Sequence, residues 1–168
     1  MQTALDFNIT ANRDIASQGG GEQCKPVGLS LALALDFLNT HREVAFATCE
    51  GNLPRLRVFQ IMRIESNRLY FATSPKKQVW RQLQENPNIE VLATDGVVSV
   101  RCAGMVNAEV DDATKRWIYD NNSVLPRLYA HYTDLVYFVL PIAEMDYYDL
   151  APDSPVFRHF DLIIGDAQ

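Results

Sequence analysis

Three tight-turn signals, each set between apolar-rich runs, constrain this chain most. Glu50-Gly51-Asn52, Glu65-Ser66-Asn67 and Asp95-Gly96 carry residue types that accept the backbone conformations of short hairpin loops. They cut the chain into runs that read as strands: 44–49, 53–64, 68–73, 89–94 and 97–110, with two later runs over 135–140 and 143–150. The first three, joined by tight turns, predict a meander, and the next two predict a second hairpin around Asp95-Gly96. Helical patterns are few. Leu31, Ala34, Leu35 and Leu38 recur at helical spacing over 30–40, and a helix is expected between Thr73 and Asn88. Asp111-Asp112 can cap another through Tyr119, and 124–131 reads as a loose helical stretch. Many strands with few helices predict a mainly β domain, a barrel or a sandwich.

A chain of 168 residues suits one domain. Residues 1–28, with Gly19-Gly20-Gly21 and polar neighbours, are expected to be a flexible N-terminal extension. The folded domain is expected over 29–150. Residues 151–168 are expected to be a tail with one apolar patch over 160–164. The net charge of −6 argues against nucleic acid as a partner, because phosphates demand a basic surface. The apolar run over 29–38 is interrupted by Asp36 and is too short to span a bilayer, so no membrane partner is expected. Cys24, Cys49 and Cys102 are widely spaced and odd in number, which fits a reducing cytoplasm better than a disulfide framework. His41, His131 and His159 have no carboxylate or cysteine at ligand spacing, and no metal is expected.

The most informative local chemistry is Ser74-Pro75-Lys76-Lys77. Ser is a favoured N-cap and Pro a favoured first helical residue, so a helix is expected to begin at Pro75. Two lysines in its first turn would then oppose the helix dipole, at about 0.3–1 kcal/mol each, unless an anion sits there. In the run 53–64 one face carries Leu56, Val58, Gln60, Met62 and Ile64, and the other Arg55, Arg57, Phe59, Ile61 and Arg63. Arg57 lies mid-strand, where a charge needs solvent or a partner. Pairing of this strand with 68–73 would bring Arg57 towards Thr73, Ser74, Lys76 and Lys77. Such a cluster is either a phosphate site or a surface group with no ligand, and spacing alone leaves both open.

Three stretches in order resemble one family. Pro54-Arg55-Leu56-Arg57-Val58-Phe59 is followed by Leu69-Tyr70-Phe71-Ala72-Thr73-Ser74-Pro75-Lys76-Lys77, and then by Gln82-Leu83-Gln84-Glu85-Asn86-Pro87-Asn88-Ile89-Glu90-Val91. Together with Ser99-Val100-Arg101-Cys102-Ala103-Gly104 they resemble the pyridoxamine 5'-phosphate oxidase-like flavoproteins, over about residues 30 to 150. The resemblance implies a split β-barrel of Greek-key-like, FMN-binding type, and a homodimer holding FMN at the subunit interface. It implies that Arg57 and Lys77 occupy phosphate-binding positions, with Lys76 and Ser74 beside them. Arg57, Val58, Phe59 and Gln60 match the strand whose backbone runs along the flavin ring. Thr73 matches a turn residue touching the ribityl-phosphate, and Ser99 and Arg101 match the strand approaching the ring. Val58 stands where the family motif has proline, and the C-terminal motif with which true pyridoxamine phosphate oxidases bind substrate has no counterpart. The resemblance therefore implies fold and cofactor, and stops short of substrate.

The expected function is that of an FMN-dependent oxidoreductase. NADH or NADPH would serve as hydride donor, and a small aromatic, quinone-like or nitro compound as acceptor. No catalytic residue is assigned. The alternative is a non-catalytic FMN- or haem-binding sensor protein on the same barrel.

Overall fold

The computed structural model describes residues 27–151, 153 and 155–162, so the expected N-terminal extension and Cys24 lie outside the described residues, apart from the extension's last two positions. The chain forms helix α1 (Val27–Thr40), strands β1 (Glu43–Glu50), β2 (Leu53–Gln60), β3 (Arg63–Glu65) and β4 (Arg68–Thr73), and helix α2 (Gln78–Glu85). Strands β5 (Asn88–Thr94) and β6 (Val98–Met105), helices α3 (Asp112–Asp120) and α4 (Leu125–Leu128), and strands β7 (Val136–Pro141), β8 (Glu144–Asp149) and β9 (Val156–Asp161) complete it. A 3₁₀ turn at Tyr132–Asp134 precedes β7.

Two antiparallel sheets result: a six-stranded one ordered β2-β1-β5-β6-β8-β9 and a three-stranded one ordered β3-β4-β7. They face each other across one core, and the architecture is a mainly β split barrel. Alternation builds the core, since successive strand side chains point to opposite faces. Val44, Phe46 and Thr48 in β1, Ile89, Val91 and Ala93 in β5, and Val100 and Cys102 in β6 point inward. At its centre the rings of Phe46, Phe59, Phe71 and Phe138 pack with centroids 4.5–6.1 Å apart. Helix α1 lies against β6 and β8 and buries Ala34 and Leu38. The three-stranded sheet also has a second covered face, where Tyr70, Ala72, Tyr137 and Val139 meet Ile118 and Leu125 of α3 and α4. Strand β4 is therefore buried on both sides.

The hairpins form where the turn residues predict them. Gly51 and Gly96 adopt φ of 59° and 95°, the left-handed region that glycine enters without steric cost.

Several expectations are corrected. The run 53–64 is two strands rather than one, and the meander breaks there. The Ile61 amide donates to Arg42 O at 2.8 Å and the Met62 amide to Tyr70 O at 2.8 Å, so the chain changes sheets between those two residues. Ile61, 1% exposed, plugs the core at the crossing. Second, α2 begins at Gln78 rather than Pro75. Ser74 to Lys77 forms a turn closed by the Lys77 amide on Ser74 O at 3.1 Å, which delivers Val79, Gln82 and Leu83 to the core as one helix face. Third, β6 ends at Met105 because the next amides turn to other partners: Val106 N bonds Pro87 O, and Asn107 bridges to Val139. Of the loose helical stretch over 124–131, only Leu125–Leu128 is helical. Fourth, the apolar patch of the expected tail begins inside β9, which pairs with β8 along its length and buries Phe160.

Candidate functional site

Strand β2 is an edge of its sheet, so one side of its backbone stays unpaired. Within β2, Arg57 sits opposite Phe46 and shares its face with Phe59, which packs on Phe46. The guanidinium thus starts from the core side of the sheet and reaches the space between β1 and α2. There Arg57 Nη1 donates to Thr48 Oγ1 at 2.5 Å, and Nη2 donates to Gln82 Oε1 at 2.8 Å. Thr48 Oγ1 donates in turn to Gln82 Oε1 at 2.7 Å, closing a triangle of polar groups. Thr48 and Gln82 are each 2% exposed.

Arg57 is half-buried and forms no ion pair among the described residues. Its acceptors are neutral. Desolvation, and then the neighbouring Arg55 charge, lower its pKa from the ordinary arginine value. The nearby Glu50 charge opposes this in smaller measure, so the arginine remains charged, with no ion-pair partner among the described residues. Arg55, two residues away, is instead paired with Glu50 at 2.6 Å. Glu50 also accepts from Gln78 Nε2 at 2.6 Å, which ties the start of α2 to the β1–β2 hairpin.

Thr73 ends β4 on the face that carries Leu69 and Phe71 into the main core. It is 3% exposed, and its Oγ1 is a buried polar atom with no hydrogen-bond partner among the described residues. Buried hydroxyls are normally satisfied, so this one stands out. The turn after it places Ser74 half-exposed, accepting from Lys76 N at 3.3 Å, and leaves Lys76 and Lys77 exposed. Neither lysine forms an ion pair among the described residues.

The structure therefore gathers Arg57 beside α2, and the turn Thr73 to Lys77 leads directly into that helix. The route differs from the expected one: β2 does not pair with β4, and helix α2 makes the connection instead. Val58 is 73% exposed on the outward face of β2, and Gln60 accepts from Asn122 Nδ2 at 3.0 Å. Ser99 and Arg101 are not brought to this cluster. They lie on the face of β6 opposite Val100 and Cys102, so they point outward from the six-stranded sheet. Arg101 is there held by Asp146 at 2.6 Å and Glu90 at 2.8 Å, with Glu144 at 3.8 Å. A groove of about 730 Å³ opens at one end of the sheet, lined by Ala47, Cys49, Pro54, Glu90, Ala103 and Glu144, among others.

Thr48 and Gln82 are site residues that the sequence reading passes over. A signal existed: each is a polar residue at a position where alternation (Val44, Phe46, Thr48) or helical spacing (Val79, Gln82, Leu83) calls for an apolar one.

Around α2 the split barrel thus presents a half-buried arginine with neutral acceptors, a buried hydroxyl with no partner among the described residues, and an exposed dilysine turn. The family model described as pyridoxamine 5'-phosphate oxidase matches residues 32–138, and the chain belongs to that family. No curated protein matches the sequence. Solved structures share the fold at low identity. A pyridoxamine 5'-phosphate oxidase-related, FMN-binding protein from Nostoc punctiforme is 17% identical, with a TM-score of 0.63 covering 82% of this chain and 91% of that one. A NimC/NimA family protein from Clostridium acetobutylicum is 21% identical, with a TM-score of 0.61 covering 78% and 92%. A haem-binding protein from Mycobacterium smegmatis is 13% identical, with a TM-score of 0.61 covering 80% and 59%. Among the described residues no helix is long and apolar enough to cross a membrane.

Proposed function

We propose that this chain binds FMN through its phosphate at Arg57, Thr73, Ser74, Lys76 and Lys77, and that it works as a flavoprotein oxidoreductase. The observation that carries the reading is Arg57, a half-buried guanidinium held only by neutral acceptors. A phosphate would supply the missing charge, and charge-assisted bonds to arginine are the strong ones. The unpartnered Thr73 hydroxyl fits the same ligand, as does the pair of unpaired ammonium groups on the turn. Family membership and the name of the Nostoc protein support the choice of flavin.

The reading includes a homodimer with FMN at its interface. Ser99 and Arg101 face away from Arg57 within one chain, so both sets can meet one ligand only when a second copy packs on the outward face. That face exposes Leu56 and Val58, each 73% accessible, beside Leu92. An apolar surface of this kind is a common mark of an interaction site.

When bound, FMN supplies hydride and electron transfer. The chain's own residues grip the phosphate and leave the β2 edge free to orient the ring, with NADH or NADPH as donor and a small aromatic, quinone or nitro compound as acceptor. The free thiols Cys49 and Cys102 fit a cytoplasmic setting.

The test is the visible spectrum of the purified protein before and after adding FMN and desalting. Retention of the two bands of an oxidised flavin supports the reading, and a colourless protein that releases all the FMN overturns it. A single intense Soret band would favour the haem reading, for which the structure offers few ligands. His159 has both ring nitrogens on carboxylates, and the His41 ring nitrogen Nδ1 faces Phe37 O and Thr40 Oγ1. His131 is the exposed one.

A further inference from the structure

We infer that Gln82 is the specificity-determining positioning residue of the Arg57 site: its buried amide holds the guanidinium in place without cancelling its charge, and so reserves the site for a phosphate-bearing ligand. The inference rests on the reading of Arg57 as a phosphate anchor and adds the reason that anchor remains charged and aimed.

The argument begins in helix α2. Val79 and Leu83 bury its inner face, and Gln82 shares that face at 2% exposure. A carboxamide so deeply buried must have partners. Its Oε1 accepts from both Thr48 Oγ1 and Arg57 Nη2. The Arg57 bond fixes the orientation of the amide, because the reversed rotamer would point an amide N–H at the guanidinium N–H. Nearby, the Glu50 carboxyl is held below its usual range chiefly by hydrogen bonds from Arg55 and Gln78. Gln82 is therefore an uncharged acceptor for a guanidinium that forms no ion pair among the described residues, while the nearby Glu50 is paired with Arg55.

Other arginines of this chain show what a carboxylate in that place would do. Arg101 is enclosed by Asp146, Glu90 and Glu144, and Arg55 is spent on Glu50. Arg57 uses two of the five N–H donors of a guanidinium on Thr48 and Gln82. The rest meet no acceptor among the described residues, so they remain for an anion. A glutamate in place of Gln82 has nearly the same shape but would form an internal ion pair with Arg57, in direct competition with phosphate.

The experiment titrates FMN and riboflavin, which differ by the phosphate alone, into the full-length chain by flavin fluorescence. The quantity read is the ratio of their dissociation constants. In the unaltered protein the ratio is expected to exceed about 100, the value of two charge-assisted contacts. In Gln82→Glu it should fall to within about threefold of Arg57→Met, with riboflavin affinity unchanged. Gln82→Met removes the acceptor and keeps the Arg57 charge, and should retain a ratio at least about tenfold above that of Gln82→Glu. Thr48→Asp brings a carboxylate from the strand side and carries the same test should Gln82→Glu fail to fold.

An unaltered protein with a ratio near one overturns the phosphate reading itself. A large ratio in the unaltered protein that persists in the carboxylate variants overturns only the role of Gln82. So does an equal fall in Gln82→Met and Gln82→Glu, or a parallel loss of FMN and riboflavin, which would mark a purely structural residue.

Discussion

His159 Nδ1 lies 2.5 Å from Asp146 Oδ1, which places an imidazole of the last described strand against the carboxylate that also receives Arg101. The second ring nitrogen faces Asp161 Oδ1 at 3.1 Å. Both contacts are satisfied as donors only by the imidazolium, and its pKa is raised above 6.5, first by the Asp146 bond. A group whose folded pKa is raised stabilises the fold fully below its unfolded pKa and loses that contribution as pH rises through the folded value. The melting temperature of the unaltered protein should therefore exceed that of His159→Gln most below about pH 6.5, and the difference should shrink as the pH is raised past it. Thermal melts of both proteins between about pH 5 and 9 check this, and a gap that widens on the alkaline side would contradict it.

Arg57→Met should weaken FMN binding more than about tenfold, since a hydrogen bond to a charged group is worth ~1.5–3 kcal/mol. Lys77→Ala should also cost more than about tenfold, with the deficit reduced by salt because the lysine is exposed. Calorimetric titration with FMN at two ionic strengths measures both, and unchanged affinity in either variant removes that residue from the site.

Leu56 and Val58 stand on the outward face of an edge strand with most of their surface open. If this face joins two copies, the double change Leu56→Asp and Val58→Asp should give a monomer. Neither side chain supports the core of the single chain, so the monomer should remain folded. Light scattering coupled to size exclusion gives the mass, and circular dichroism checks the fold. A variant that remains a dimer would place the interface elsewhere.

Much of this architecture can be read from residue order, and the parts that cannot share one cause. The turns at Gly51 and Gly96, the alternation of β5 and the helix over 30–40 are local properties, carried by residues that touch each other. The crossing at Ile61 and Met62 is not local. The alternation runs on through it unbroken, and only the carbonyls of Arg42, just before β1, and Tyr70, in β4 of the other sheet, decide where the strand ends. The same holds for the site. Arg57 and the Ser74–Lys77 turn stand out as charged groups in a strand and beside a helix, but the triangle with Thr48 and Gln82 depends on α2 packing against β1. The helix start at Pro75 fails for a similar reason. Capping preferences favour it locally, but burial of Val79, Gln82 and Leu83 sets the helix three residues later.

Gly104 supplies a test of how closely β6 approaches β7. A Cβ added there would lie 2.6 Å from Pro141 O and 3.0 Å from Leu140 Cδ1, and the nearer atom is backbone and cannot swing aside. Gly104→Ala should cost about 1–3 kcal/mol by overpacking, and lower the melting temperature by roughly 2–4 °C for each of those kcal/mol. A melt identical to that of the unaltered protein would show that the end of β7 yields freely.

The crossing between sheets also limits how this segment can vary in length. Arg57, Phe59 and Ile61 must all face inward, one towards α2, one onto Phe46 and one into the core at the point of exchange. Side chains on a strand alternate, so their placement is a matter of parity. A single-residue insertion between Arg57 and Ile61 would turn one of them outward, either emptying the anion site or unplugging the core. A two-residue change preserves parity, so lengthening or shortening here can be accommodated only in pairs.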